Sequence, residues 1–194
     1  MNLHPAARLA GLSFLCGFLL IGCGADDYGA DPPNLSEVKK FDAHHVYYAG
    51  EEVAGLPLEE IEGEEWQKVE RDIGWNFYYG ECDPPSGLFA EGGCEPPLQI
   101  HNYSTCRRWA SLLSDKSAMF DFRGATAAGG GDGIEDPVEV FTGRTTVVIF
   151  AGDRSVAKSA ARQLRNVRQE RPSRLPPPVP GSLEGKLPCQ DKPG

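Results

Sequence analysis

The clearest alternation of apolar and polar positions falls at residues 138–150. Val138-Glu139-Val140-Phe141 places every second side chain on one face, Thr142-Gly143 follows as a turn, and Thr145-Thr146-Val147-Val148-Ile149-Phe150 is rich in β-formers. Two such runs joined by a short glycine-containing loop predict a β-hairpin. Further strands are expected at residues 45–48 (HVYY), 75–79 (WNFYY), 98–103 (LQIHNY) and 118–126, from β-propensity and partial alternation. Helical features appear at three places. Residues 55–61 predict one helical turn with Pro57 at its first position. Ser104 or Thr105 is placed to cap a helix over residues 105–117 that would bury Trp109, Leu112 and Leu113. Gly152-Asp153 opens a helix over residues 154–168 with an apolar stripe of Val156, Ala160, Leu164 and Val167. Together these predict an α+β fold: an antiparallel sheet of about five to six strands with two helices packed on it, in two halves of similar plan.

The ends of the chain follow different patterns. After Arg8, residues 9–22 form an apolar run without a charge. Fourteen residues make roughly 21 Å of helix, short of the about 30 Å of a bilayer core, which reads as a secretory signal. Its end, Leu20-Ile21-Gly22-Cys23, resembles the lipobox of bacterial lipoproteins. That resemblance implies cleavage before Cys23, acylation of its thiol with chains such as palmitate, and an extracytoplasmic domain anchored to the cell membrane. Residues 23–43 are polar and rich in Gly, Pro and Asp, the composition of a flexible tether. Residues 170–194 hold seven prolines, which remove backbone donors and predict an extended tail. Within it Arg174-Leu175-Pro176-Pro177-Pro178-Val179-Pro180 resembles the R-x-x-P-x-x-P ligand of SH3 domains, although a stiff spacer is the expected role. The domain plan is therefore a signal peptide at 1–22, a tether at 23–43, an α+β domain at 44–169 and a proline-rich tail at 170–194.

Charge narrows the choice of partners. The net charge of −9 argues against nucleic acid, which needs a basic surface. Residues 24–100 hold 18 acidic and 4 basic side chains, and residues 101–194 hold 10 acidic and 14 basic. Such bipolarity lets the halves pair with one another or serve two charged faces. The acidic run at residues 51–70 lacks the spacing of a calcium loop and reads as a solvated face. Arg154, Lys158, Arg162 and Arg165 fall along one side of the last predicted helix, a possible basic binding face for an anionic envelope polymer or for anionic headgroups.

The chain has six cysteines. An exported protein loses Cys16 with its leader and carries lipid on Cys23, leaving Cys82, Cys94, Cys106 and Cys189 as disulfide candidates. Cys82 and Cys94 bracket a Pro/Gly-rich loop, so that pair is the favoured staple, with Cys106 joining Cys189 in the tail. Zinc is disfavoured because eleven residues separate successive cysteines from 82 to 106, and His44, His45 and His101 add no diagnostic spacing. Cys106, beside Arg107 and Arg108, is the one candidate for a reactive thiolate. The chain contains no G-x-S-x-G, H-E-x-x-H, Walker A or G-x-G-x-x-G, and Gly129-Gly130-Gly131-Asp132-Gly133 reads as a loop. No catalytic residue, metal ligand or cofactor site is assigned.

The runs FYYGECDPPSGLFAEGGCEPPLQI and VEVFTGRTTVVIFAG resemble uncharacterised secreted or lipid-anchored proteins of high-GC Gram-positive bacteria. This resemblance implies one domain across the region but no activity. The expected function is that of a membrane-anchored lipoprotein acting as a non-enzymatic binding or interaction module. The alternative is a cell-envelope hydrolase whose site is assembled from dispersed Asp, Glu and His.

Overall fold

The structure, a computed structural model, describes residues 34–65, 73–82, 95–112, 119–129 and 137–189. The elements run α1 (Leu35–Val38), β1 (Tyr47–Tyr48), β2 (Glu52–Val53), β3 (Leu56–Glu65), β4 (Ile73–Tyr79), β5 (Leu98–Ser104), a 3₁₀ turn (Ala110–Leu112), β6 (Phe120–Phe122), β7 (Ala125–Ala128), β8 (Val138–Thr142), β9 (Thr145–Ala151), α2 (Arg154–Gln163) and β10 (Arg165–Asn166). Eight strands make one sheet in the order β2-β3-β4-β5-β9-β8-β7-β6, and β1 pairs with β10 in a second, two-stranded sheet. Every pairing between these strands is antiparallel. The fold is broadly α+β but dominated by sheet, and the expected five to six strands understate it.

The extra strands have local causes. Residues 55–61, read as a helical turn, are instead a hairpin. Ala54 and Gly55 have φ of 52° and 83° between the Val53–Leu56 pair, the positive values a tight two-residue β-turn demands. Arg123 and Gly124, with φ of 55° and 96°, close β6 onto β7 in the same way and split the single strand expected at 118–126. The register of β3 slips between Leu58 and Glu60. The extra residue lets Leu58 and Ile61, three apart, both pack against the core, which uninterrupted alternation would forbid.

One face of the sheet carries the core. Trp75, Phe77 and Tyr79 of β4, Leu98 and Ile100 of β5, Val147 and Ile149 of β9 and Val140 of β8 are buried with Ala157, Ala160, Leu164 and Val167 from α2 and the segment after it. Asn102 lies among them, fully buried. Its Oδ1 accepts from Tyr47 N–H at 2.7 Å, and its Nδ2 donates to the carbonyls of Tyr47 at 2.9 Å and Trp75 at 3.1 Å. One amide thereby ties the small sheet to the large one.

α2 starts where expected, with Asp153 accepting from the N–H groups of Ser155 and Val156. Those bonds, led by the one from the Ser155 hydroxyl, hold the Asp153 carboxyl below its usual range. The helix stops at Gln163 rather than 168 because Arg165 and Asn166 pair with Tyr48 and Tyr47. Its last carbonyls are taken by Arg123, whose Nη1 donates to Ala161, Arg162 and Leu164. The helix expected at 105–117 does not form over its described part. The segment instead follows the sheet, with Thr105 N–H bonded to Arg144 and Thr146 Oγ1 donating to the Arg108 carbonyl at 2.6 Å. Residues 113–118 lie outside the described residues, and among the described ones the two halves do not share a strand-then-helix plan.

Both flanks pack more closely than their composition suggests. Within the expected tether, Asn34 caps α1 and Val38 is buried in the core. In the proline-rich tail, Leu175 is also buried there, and the chain runs beside the β8–β9 turn as a strap. Thr142 Oγ1 donates to the Pro176 carbonyl, Gly143 N–H to that of Pro177, and Val179 N–H to that of Gly143. The prolines lack donors but their carbonyls accept, while Leu175 and Val179 supply the N–H groups. Cys189 then joins Cys106 in a disulfide with Cα atoms 5.1 Å apart.

Candidate functional site

The outer face of the sheet holds the chemistry. Strand register sets Glu62, Asn76, His101, Val148 and Glu139 in one row across β3, β4, β5, β9 and β8. The neighbouring row holds Glu60, Tyr78, Gln99 and Phe150. Near the edge of the sheet Glu60, Glu62, Tyr78 and Gln99 of these rows border an open groove of about 510 Å³. Glu59, Glu60 and Glu62 come from β3, Tyr78 and Gly80 from β4 and its end, Glu81 and Cys82 from the segment after it, Glu95 and Pro96 from the approach to β5, and Gln99 from β5 itself. All five carboxylates are exposed.

The groove keeps its shape through short-range packing. Gly80 sits at φ 78°, and a Cβ there would lie 2.8 Å from Pro97 and 2.9 Å from Leu56, so only glycine allows the close approach of β3's start and the Pro96-Pro97 pair. Tyr78 Oη donates to Glu62 Oε2 at 2.7 Å, fixing one carboxylate against an aromatic wall. Several carboxylates around an aromatic and proline-lined floor attract a cationic group and offer it an apolar rest.

His101 lies beside the groove, hydrogen-bonded to Gln99 Oε1 and Tyr103 Oη at 3.0 Å each, with ring contacts to Tyr78, Tyr103 and Phe150. His44 is buried near Thr145, 3.4 Å from its hydroxyl, and the exposed His45 meets Asn166 at 3.1 Å. The structure thus sets the His101 ring apart from His44 and His45, of which one is buried and the other exposed. Among the described residues no group of three or more His, Cys, Asp or Glu side chains is placed to hold a metal ion.

The cysteines divide. Cys106 is bonded to Cys189 and is therefore not the free thiolate its arginine neighbours suggested. Cys82, on the wall of the groove, is also disulfide-bonded. Cys94 and Cys23 lie outside the described residues, as do Gly130 to Gly133 of the glycine run. The expected basic face is only partly assembled. Arg154, Lys158 and Arg162 are exposed along α2, but Arg165 lies in β10, where its guanidinium covers the Tyr48 ring at 4.8 Å and packs against Gly50. The helix ends before the position that would have aligned it with the other three.

A buried ion pair escaped sequence reasoning. Glu139 is fully buried on the outer face and accepts from Arg108 Nε at 2.7 Å, and Arg108 also lies over the Tyr103 ring. In V-E-V-F the glutamate occupies the position that alternation assigns to solvent. It is buried because the segment bearing Arg108, Ala110 and the strap covers that side, where Ala110, Ala128 and Phe141 form a second small core with Met119 and Leu183. Asn76 is fully buried in the same row, with neither side-chain polar atom hydrogen-bonded. No helix among the described residues is long and apolar enough to cross a membrane. Compared with the known protein families, with curated proteins and with solved structures, the chain finds no match.

Proposed function

We propose that the chain is an extracytoplasmic lipoprotein, held at the membrane through Cys23, whose domain is a non-enzymatic binding module for a cationic partner, most simply a basic segment of another envelope protein. The observation that carries this reading is the groove beside β3, with five exposed carboxylates around Tyr78, Pro96 and Gln99. Opposite charge gathers such a partner from solution and orients it, a contribution that salt weakens. Export is supported by the Cys106–Cys189 disulfide, because such bonds persist where the surroundings are oxidising.

A fluorescent lysine-rich peptide titrated against the full chain tests the groove. We expect saturable binding that weakens roughly tenfold between low and high salt, and at least about fivefold in Glu59→Gln/Glu60→Gln/Glu81→Gln at low salt. Glu62 is left in place because it is bonded to Tyr78. Equal affinity of the variant and the parent chain would remove the groove from the account.

A further inference from the structure

The opposite end of the molecule is basic, and the N-terminal segment joins the domain there. Arg168 holds that segment, its Nε donating to the Lys39 carbonyl at 3.0 Å and its Nη2 to that of Phe41 at 2.7 Å. Phe41 in turn meets the ring of Trp75, near the start of β4. The groove opens past the other end of that strand, at Gly80 and Glu81, about 13 Å further along.

Hydrogen bonds gather the basic side chains of this end. Arg123 reaches both the Arg162 carbonyl at the end of α2 and the Ser173 carbonyl, and Ser173 Oγ donates to Gln169 at 3.0 Å. Lys39, Lys40, Arg162, Arg168, Arg171 and Arg174 are all exposed in this neighbourhood, against the exposed carboxylates of Glu37, Asp42, Asp121 and Glu170. A chain with net charge −9 therefore carries a local excess of positive charge where its N-terminal segment leaves it.

We infer that this end is a docking face for an anionic phospholipid surface. The orientation rests on the anchoring reading above: from Cys23 to Asn34 the chain spans at most about 40 Å, so an acylated Cys23 keeps this end near the headgroups. Lysine and arginine side chains close to an anionic leaflet add to the hold of a single lipid anchor. Docked in this way, the basic end faces the bilayer and the acidic groove faces away from it, where a cationic partner has access.

The test uses the chain from residue 23 onward bearing Cys23→Ala, so that neither the apolar leader nor an acyl group contributes, mixed with vesicles of phosphatidylcholine alone or with phosphatidylglycerol. We expect sedimentation with the anionic vesicles to exceed that with neutral ones, and the excess to vanish at high salt. Each basic side chain near the surface contributes about a fivefold gain in partitioning, so Lys39→Ser/Lys40→Ser/Arg171→Ser should lower the excess at least about tenfold. Arg168 is kept because it holds Lys39 and Phe41 in place. Glu59→Gln/Glu60→Gln, at the groove, should leave the excess within about twofold. Equal binding of the parent chain to both vesicle types would overturn the inference, as would an excess that survives the triple substitution. Retention by an anionic polysaccharide together with indifference to both vesicles would overturn it in favour of a wall polymer. None of these outcomes depends on whether Cys23 is acylated in cells, which fractionation of Cys23→Ala cells decides separately.

Discussion

Single polar side chains connect the parts of this molecule. Asn102 satisfies three backbone groups at the junction of the two sheets, Arg123 collects the last carbonyls of α2, and Tyr79 Oη accepts the Ala49 N–H at 3.1 Å. Burial pushes the phenols of Tyr47 and Tyr79 above their ordinary value, because a phenolate would have to form without water. The consequence for stability has a definite sign. Below about pH 10 both tyrosines are neutral in the folded and unfolded chains and contribute nothing to pH dependence. Above it the unfolded chain loses protons that the folded chain keeps, so the unfolded state gains and stability falls. Each tyrosine can contribute a loss of up to about 1.4 kcal/mol per pH unit. Urea melts between pH 8 and 12 should show this decline, and Tyr47→Phe should make it shallower, at little cost in hydrogen bonding since its partner Thr142 is a distant 3.5 Å. A slope unchanged in Tyr47→Phe would mean that the phenol is not held neutral by burial.

Among the elements, the hairpin β8–β9 and the start of α2 were legible in the sequence because their signals are local. A clean alternation around Gly143 and an aspartate cap at 153 specify structure within a few residues. The Ala54-Gly55 and Arg123-Gly124 turns were missed because their demand for positive φ is carried by a residue pair that reads equally well as a helix start or as strand interior. Residues 105–112 misled for a different reason. Helical spacing there lost to Thr146, Arg144 and Glu139, which draw the chain onto the sheet, and such long-range partners leave no local mark. Of the candidate site, the acidic residues 59–62 were visible as charge, but not their convergence with Glu81 and Glu95, which depends on register and on Gly80. The strap illustrates the same limit: the prolines predicted an extended tail, but residues 180–185 turn back on themselves, and Leu175 and the disulfide decide where the chain goes. Cys106 and Cys189 are 83 residues apart, so losing their bond should cost up to about 4.5 kcal/mol by the chain-entropy relation. Denaturant melts of Cys106→Ser/Cys189→Ser should show that loss as a lower midpoint. An unchanged midpoint would show that packing alone holds the strap.

At the scale of the whole molecule, charge is separated along the strand direction. Carboxylates gather at the groove beyond Tyr79, and lysines and arginines gather where the N-terminal segment and the end of α2 meet. Each of these charged ends keeps side chains exposed to solvent, and the basic one draws on both halves of the sequence, Lys39 and Lys40 from the first and the arginines from the second. A module held by one end and open at the other accounts for this arrangement, and its central claim is attachment through Cys23. The most direct test is the partition of the protein between membrane and soluble fractions of its own cells, parent chain against Cys23→Ala. The account predicts that the parent chain sediments with membranes through a high-salt wash, while Cys23→Ala is released by the same wash or accumulates as the uncleaved precursor. A Cys23→Ala chain of mature size that stays with washed membranes as fully as its parent would contradict it.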